Sequence, residues 1–372
     1  MKIAFVYDRV NKWGGAERVL LALHEIWPEA PLYTAVYDPD GAPWAKVFDV
    51  RWSFLQHFPF AKSHHEFYPW LTPLAFQSFN FDDYDVVLSV TSAEAKNLIT
   101  KPHTLHVCYC LTPTRYLWSG YKAYQMYPSG SIIEKISQKT LARFAPTLRS
   151  WDMYASTRPD HYIAISDHVG DRIHKYYHRR VEKTIYPPVD TDFFVPDNHQ
   201  KNNRPSYYLL VSRLVSYKRI DMIIDAFNEL GWPLVVIGDG WAKQKLIAQS
   251  NRNIRFIGGY LTDRELLQYY QGCRAFVFSG DEDFGIVAAE AQSCGKPVIA
   301  YKESGIGEIV KNGKTGELFT KQSADGIKEA LIASEEKEYN PFACRTNAIR
   351  FSKIRFKEEV KQTISDLWQS YL

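Results

Sequence analysis

Ten short apolar runs recur along this chain at spacings that an amphipathic helix fills, and that rhythm constrains the fold more than any other feature. IAFVY (3–7), PLYTAV (31–36), DVVLSV (85–90), LHVCYC (105–110) and HYIAIS (161–166) mark the first half. YYLLVS (207–212), PLVVIG (233–238), IRFIG (254–258), AFVFSG (275–280) and KPVIA (296–300) mark the second. Strands that alternate with helices pair in parallel, because each crossover brings the chain back to start the next strand in the same direction, and helices then cover both faces of the sheet. The expectation is an α/β chain of two doubly wound, Rossmann-like domains. A length of 372 residues agrees with two cores rather than one.

Prolines and a polar run in YPPVDTDFFVPDNHQKNNRPS (186–206) interrupt both periods, which places the domain break there. The expected division is 1–190, 191–351, and a closing helix over 352–372 that packs back towards the first domain. Open parallel sheets bind ligands outside the carboxyl ends of their strands, so the active site is expected in a cleft between the domains.

Lys plus Arg number 45 against 42 Asp plus Glu, and a net charge of +3 is too small to argue for a nucleic-acid partner. The five cysteines are odd in number and include no CxxC, which argues against a disulfide framework and a zinc knuckle and for a reducing, cytoplasmic setting. MKIAFVYDRV reads as a first strand rather than a signal peptide, and no run reaches the roughly 18–20 apolar residues of a membrane span. Aromatic residues make up 15% of the chain, more than a core of this size needs, and point to ring-lined surfaces of the kind used at sugar sites and membrane interfaces.

The chemistry concentrates in three places. EDFGIVAAEA (282–291) follows the strand AFVFSG and runs into a helix, so Glu282 lies in a strand-to-helix loop and Glu290 about 7–8 Å further along the helix at 1.5 Å per residue. Gly285 lets backbone come close, and the free N–H groups of the first helical turn form an anion site between the two acids. A nucleotide sugar fits that spacing, with hydroxyls at one end, diphosphate over the helix start and ribose at the other. Arg213 and Lys218, in SRLVSYKR after the strand YYLLVS, can converge on a diphosphate, Arg as a planar fork and Lys as a compact charge. Gly14-Gly15 at the entry of the first helix permits close approach to a phosphate or acceptor, and is equally compatible with a plain tight turn. There is no GxGxxG, P-loop, HExxH or GxSxG, and His64-His65 lacks a third ligand at metal spacing.

In this order and these contexts the residues resemble the retaining family 4 glycosyltransferases of the GT-B fold. The resemblance runs over nearly the whole chain: Gly14-Gly15, ISDHVGDRIHKYYHRRVEKTIYPPVDTDFF (165–194), SRLVSYKR (212–219), GGYLTDREL (258–266), and the pair Glu282 and Glu290. It implies a nucleotide-sugar donor and a saccharide or lipid-linked saccharide acceptor. It also implies Arg213 and Lys218 on the diphosphate and Glu282 on the donor sugar hydroxyls, these three being the expected catalytic residues. Phe284, Gly285 and Ile286 would present backbone amides to the donor, Glu290 would hold the ribose, and Tyr260 and Leu261 would hold the base through main-chain groups. HVCYCLTPTRYLW (106–118) with EDFG and DRVNKWGGAERVL looks closest to WbaZ-type mannosyltransferases of bacterial surface polysaccharide assembly, which implies GDP-mannose. The family commonly reads Cys-His-Thr-Pro where this chain has Cys110-Leu111-Thr112-Pro113, and Leu111 cannot carry a proton. His106, Thr112 and Arg115 are therefore the candidates from the first domain.

A retaining transfer without an enzyme nucleophile is pictured as a front-face displacement, with protein groups stabilising the leaving diphosphate. Asp82-Asp83 and Asp281-Glu282-Asp283 read as loop charges rather than a metal-holding pair, so neither metal nor other cofactor is expected. The segment 117–154 combines aromatic residues with Lys135, Lys139, Arg143 and Arg149, and is expected to dock on an anionic membrane at the inner face of the plasma membrane, or else to be a solvated helix face over an ordinary core. A UDP- or TDP-sugar donor, a nucleotide-sugar epimerase and a noncatalytic nucleotide-sugar binding protein are the alternatives that share the fold.

Overall fold

The computed structural model describes residues 1–63, 68–122, 132–197, 207–259 and 261–372, with the backbone alone over 132–140. The described residues divide into two compact units, Met1–Lys122 with Ile132–Pro188 and Ile354–Leu372, and Val189–Lys353. His64 and His65 lie outside the described residues, as do 198–206 of the expected linker.

Unit 1 is built on a seven-stranded sheet of β1 (Ile3–Tyr7), β2 (Leu32–Thr34), β3 (Val50–Trp52), β4 (Val86–Thr91), β5 (Leu105–Cys110), β6 (His161–Ala164) and β7 (Lys183–Thr184). Their order is β3-β2-β1-β4-β5-β6-β7, with every pairing parallel. Unit 2 holds a six-stranded sheet of β8 (Tyr208–Val211), β9 (Leu234–Ile237), β10 (Ile254–Ile257), β11 (Phe276–Phe278), β12 (Val298–Tyr301) and β13 (Gly316–Phe319). Its order is β10-β9-β8-β11-β12-β13, again parallel throughout. Each of the ten apolar runs holds a strand. The three strands outside those runs, β3, β7 and β13, are edge strands, and an edge needs no continuous apolar sequence because fewer of its neighbours are core. The central strands β1, β4 and β5 are buried along their whole length, as their sequences require.

Helices fill the crossovers and carry the apolar residues of each core. In unit 2, Ile220, Ile223, Ile224 and Phe227 of the helix Ile220–Leu230 recur at helical spacing and close over Leu210, Leu234 and Val236 of the sheet. The helix Lys353–Tyr371 belongs, from Ile354 onward, to unit 1. Phe356 is fully buried with its ring 5.9 Å from that of Tyr109 on β5, and Arg355 donates to the Tyr186 carbonyl at 2.6 Å. Within unit 2, the first and last residues lie side by side, because Val189 donates to Phe351 at 2.9 Å and accepts from Lys353 at 3.0 Å.

Cys108 and Cys110 pack inside β5, and all five cysteines are buried free thiols. His106 is also a core residue of β5, with no exposure and its Nε2 within 2.9 Å of the Ser89 hydroxyl on β4. Burial, aided by the positive charge of Arg158, pushes its imidazole down to about 3. The folded pKa lies below the unfolded one, so neutral His106 contributes stability above the unfolded value of about 6.5, and this is lost as pH falls towards 3. We predict that the His106 imidazole resonances stay unchanged from pH 8 to pH 5; a titration midpoint near 6.5 would contradict its burial as a neutral core group.

Candidate active site

In unit 2 the chemistry collects where β8, β9, β11 and β12 end. The loop after β8 carries Arg213, which is exposed and donates to the Tyr217 hydroxyl at 2.7 Å. No carboxylate pairs with it among the described residues, so its fork is available to an anion. The loop is braced from below by the end of β9. Leu214 donates to Asp239 at 2.9 Å, Ala242 donates to Leu214 at 3.0 Å, and Gly238 and Gly240 (φ 146° and 156°) make this approach possible. A Cβ on Gly238 would stand 1.9 Å from the Ser212 carbonyl oxygen, and one on Gly240 2.3 Å from that of Leu214.

Lys218 ends the same loop and is buried, its Nζ paired with Glu282. Its ammonium lies 5.7 Å from the Phe278 ring centroid on β11 and 5.3 Å from that of Tyr217. Gly280 lets the Lys218 backbone close in, since a Cβ there would be 2.8 Å from the Lys218 carbonyl oxygen. The sequence reading puts Lys218 on the diphosphate and Glu282 on the donor sugar hydroxyls; the structure joins the two side chains in one ion pair that presents a cation and a carboxylate together.

The helix Ile286–Ser293 starts at Gly285, which is left-handed at φ 95°. A Cβ on Gly285 would meet Ile306 Cγ1 at 2.3 Å, so only glycine fits the turn against the next helix start. That neighbour is tied in by Gly305, which donates to the Glu282 carbonyl at 2.8 Å. Phe284 is buried 5.1 Å from Phe351, so its ring anchors the loop while the N–H groups of Ile286 and Val287 begin a helix with no intrahelical acceptors. Further along the same helix Glu290 is buried and accepts from the Tyr270 hydroxyl at 2.9 Å. A lone acid among alanines needs a partner, and Tyr270 from the helix Asp263–Gly272 is one that spacing could not name. Leu261 is half-buried just before that helix, whose start is closed by a capping box between Thr262 and Glu265. Tyr260 lies outside the described residues.

The candidates of unit 1 do not share one place. Gly14 caps the helix Gly15–His24 after β1, in extended conformation, where a Cβ would come within 3.1 Å of Glu17 Oε2. Thr112 and Arg115 follow β5 at its carboxyl end, Thr112 buried with its hydroxyl unpartnered among the described residues. His106 stands near the amino end of the same strand, six residues back or roughly 20 Å at 3.3 Å per residue, enclosed in the sheet and away from Thr112. Sequence reasoning also passed over the residue that holds this loop. Lys96 is buried, its Nζ 2.6 Å from Asp152 Oδ1 and 3.0 Å from the Thr114 hydroxyl. Asp152 Oδ2 in turn accepts from Trp118 at 2.6 Å and from Tyr177 at 2.8 Å. Burial alone would lower the Lys96 pKa, but the Asp152 carboxylate overrides it and keeps the ammonium charged. No local signal marked it, since Lys96 stands between polar neighbours Glu94 and Asn97 in SAEAKNLI and its partner Asp152 is 56 positions away.

Among the described residues no group of three His, Cys, Asp or Glu side chains stands close enough to hold a metal ion.

Residues 193–351 match the family model described as glycosyl transferases group 1. An uncharacterized glycosyltransferase of Methanocaldococcus jannaschii is 29% identical over 205 residues, 54% of this chain and 56% of its own length, so the match spans little more than half of that relative. A GDP-mannose-dependent alpha-(1-6)-phosphatidylinositol monomannoside mannosyltransferase of Mycobacterium tuberculosis is 31% identical over 172 residues, 39% of this chain and 44% of the relative. Among solved structures, the apo form of the lipopolysaccharide outer core galactosyltransferase WaaB superposes with a TM-score of 0.68 at 20% identity, covering 98% of this chain and 99% of its own. The architecture is therefore the GT-B fold, and the likeness to the glycosyl transferases group 1 model lies in residues 193–351.

Proposed function

We propose that this protein is a retaining glycosyltransferase that moves a hexose, mannose from GDP-mannose first, to a saccharide or lipid-linked saccharide acceptor in bacterial surface polysaccharide assembly, as WbaZ-type mannosyltransferases do. The observation that carries this reading is the meeting, at the strand ends of unit 2, of an available Arg213, the Lys218–Glu282 pair and the helix start at Gly285. An anion above that helix start faces a guanidinium, an ammonium and unpaired N–H groups, which is what a leaving diphosphate requires. The GDP-mannose dependence of the mycobacterial relative supports the donor.

In this reading the anomeric carbon–oxygen bond to the diphosphate breaks while the acceptor oxygen bonds to the same face of that carbon. The acceptor proton passes to a diphosphate oxygen. Arg213, Lys218 and the first-turn amides stabilise the charge left on the diphosphate, Glu282 accepts from the sugar hydroxyls, and Glu290 holds the ribose. Protein cations take the place a metal would fill, so the reaction needs no metal ion.

A peripheral membrane role draws support from the surface of unit 1. Trp70 and Phe144 lie exposed with rings 5.3 Å apart, Trp151 and Tyr154 are exposed further along the same helix as Phe144, and Arg143 stands over Phe144. The side chains of Lys135 and Lys139 lie outside the described residues. Among the described residues no helix is long and apolar enough to cross a membrane.

Arg213→Ala is predicted to lower transfer by about 100-fold or more with the fold intact, the size seen when one charge-stabilising donor is removed; a variant within threefold of wild type removes Arg213 from this role. Thermal shifts with GDP, UDP, ADP and TDP identify the base, because a ligand that binds only the native state raises its stability; GDP is expected to give the largest shift, and a larger one with UDP or TDP replaces the donor. Activity is expected to survive excess chelator, and its loss would show a metal requirement. Vesicle flotation is expected to rise with anionic lipid content; recovery independent of lipid charge argues against docking.

A further inference from the structure

Arg213 is exposed, and a long side chain in open solvent has no fixed direction unless something holds it. Among the described residues the partner of its guanidinium is the hydroxyl of Tyr217, which accepts from Nη2 at 2.7 Å. The same tyrosine stands beside the second cation of the site, its ring centroid 5.3 Å from Lys218 Nζ. One phenol therefore neighbours both residues placed on the diphosphate.

The backbone under Tyr217 leaves it little freedom. Ser216–Lys218 form a single 3-10 turn, in which Lys218 donates to the Val215 carbonyl at 3.1 Å and Arg219 to that of Ser216 at 3.1 Å. On one side Leu214 is bonded to Asp239 and Ala242, and on the other the Ser279 hydroxyl donates to the Arg219 carbonyl at 2.7 Å. Tyr217 is itself half-buried, so its oxygen is a fixed point against which the guanidinium is held. The chemistry of that oxygen matters as much as its place. A carboxylate there would hold Arg213 but also cancel its charge, as Glu282 does for Lys218, and would then compete with an incoming anion. A hydroxyl fixes the fork and leaves its positive charge whole.

Resting on the glycosyltransferase reading, we propose that Tyr217 is a positioning residue of the donor site, whose hydroxyl holds the Arg213 guanidinium so that the other N–H groups of the fork meet the diphosphate. Holding a flexible cation in its binding direction before the ligand arrives reduces the entropy lost on binding. The tyrosine thus acts through Arg213 and not on the diphosphate itself.

The test is a double-mutant cycle on the full chain, in which isothermal titration calorimetry gives the Kd for GDP, UDP, ADP and TDP in the wild type, Tyr217→Phe, Arg213→Ala and the double variant. Tyr217→Phe keeps a ring beside Lys218 and removes only the oxygen, and the loop is tied by backbone bonds that neither substitution touches. For the tightest-binding nucleotide, Tyr217→Phe is expected to raise the Kd about three- to tenfold when Arg213 is present, and by less than about 1.5-fold when it is alanine. A tyrosine that merely supported the loop would cost the same with or without Arg213. An equal loss in both backgrounds therefore overturns the proposal, as does a Tyr217→Phe Kd within about 1.5-fold of the wild type. Either result leaves the transferase reading standing, because the nucleotide still binds; a wild type that binds none of the four overturns that reading and the proposal with it.

Discussion

A parallel strand leaves its chain at the far end of the sheet, and the polypeptide must travel back before the next strand can begin. Everything placed at the site follows from that constraint. The crossover helices of each unit start beside the carboxyl ends of the strands, so their unpaired N–H groups and the loops before them gather on one edge. In unit 2 this brings Arg213, Lys218, Glu282 and Gly285 to neighbouring strand ends although up to 72 positions separate Arg213 from Gly285 in sequence. In unit 1 the same geometry collects Asp8, Thr91, Glu94 and Thr112 after β1, β4 and β5, with Asp8 accepting from Thr91 at 2.7 Å and from Ala95 at 2.8 Å.

Gathering loops is not enough to order them, and unit 2 orders its loops by backbone contact. Gly238, Gly240, Gly280 and Gly305 each stand where a Cβ would collide with the backbone of a neighbouring loop. Loops that touch through their backbones have little room to shift, which suits a site meant to meet developing charge without reorganising. The Lys218–Glu282 pair adds a cost of its own. Two charges taken partly from water repay their desolvation only with good geometry, so the pair is weak evidence for a contribution to stability. The Lys96–Asp152 pair of unit 1 is the structural counterpart. Both carboxylate oxygens are satisfied by Lys96, Thr114, Trp118 and Tyr177, so it clamps the segment after β5 to the long helix behind it.

The sheet strands were legible because a strand covered on both faces must be apolar at consecutive positions, and chains such as VVLSV or LVVI leave little else to form. VRW of β3 and KT of β7 were not, since an edge strand forms from whatever lies beside an existing strand. Glu282 and Gly285 were readable as a loop acid and a helix start, because both depend on neighbours within a few residues. Tyr270, Gly238 and Gly240 were not readable, because their roles depend on groups from other elements. His106 shows the reverse error: a histidine attracts a catalytic reading, yet its place second in a six-residue buried strand puts it in the core.

The amino-acid order by itself determined two parallel sheets, the helices between them and the loops that bear the charges, since period and apolar content act over short range. Only the tertiary structure decided that Lys218 meets Glu282 and that Glu290 leans on Tyr270. Those facts depend on which strands lie side by side, and strand order is set by the packing of whole crossovers, which no local pattern encodes.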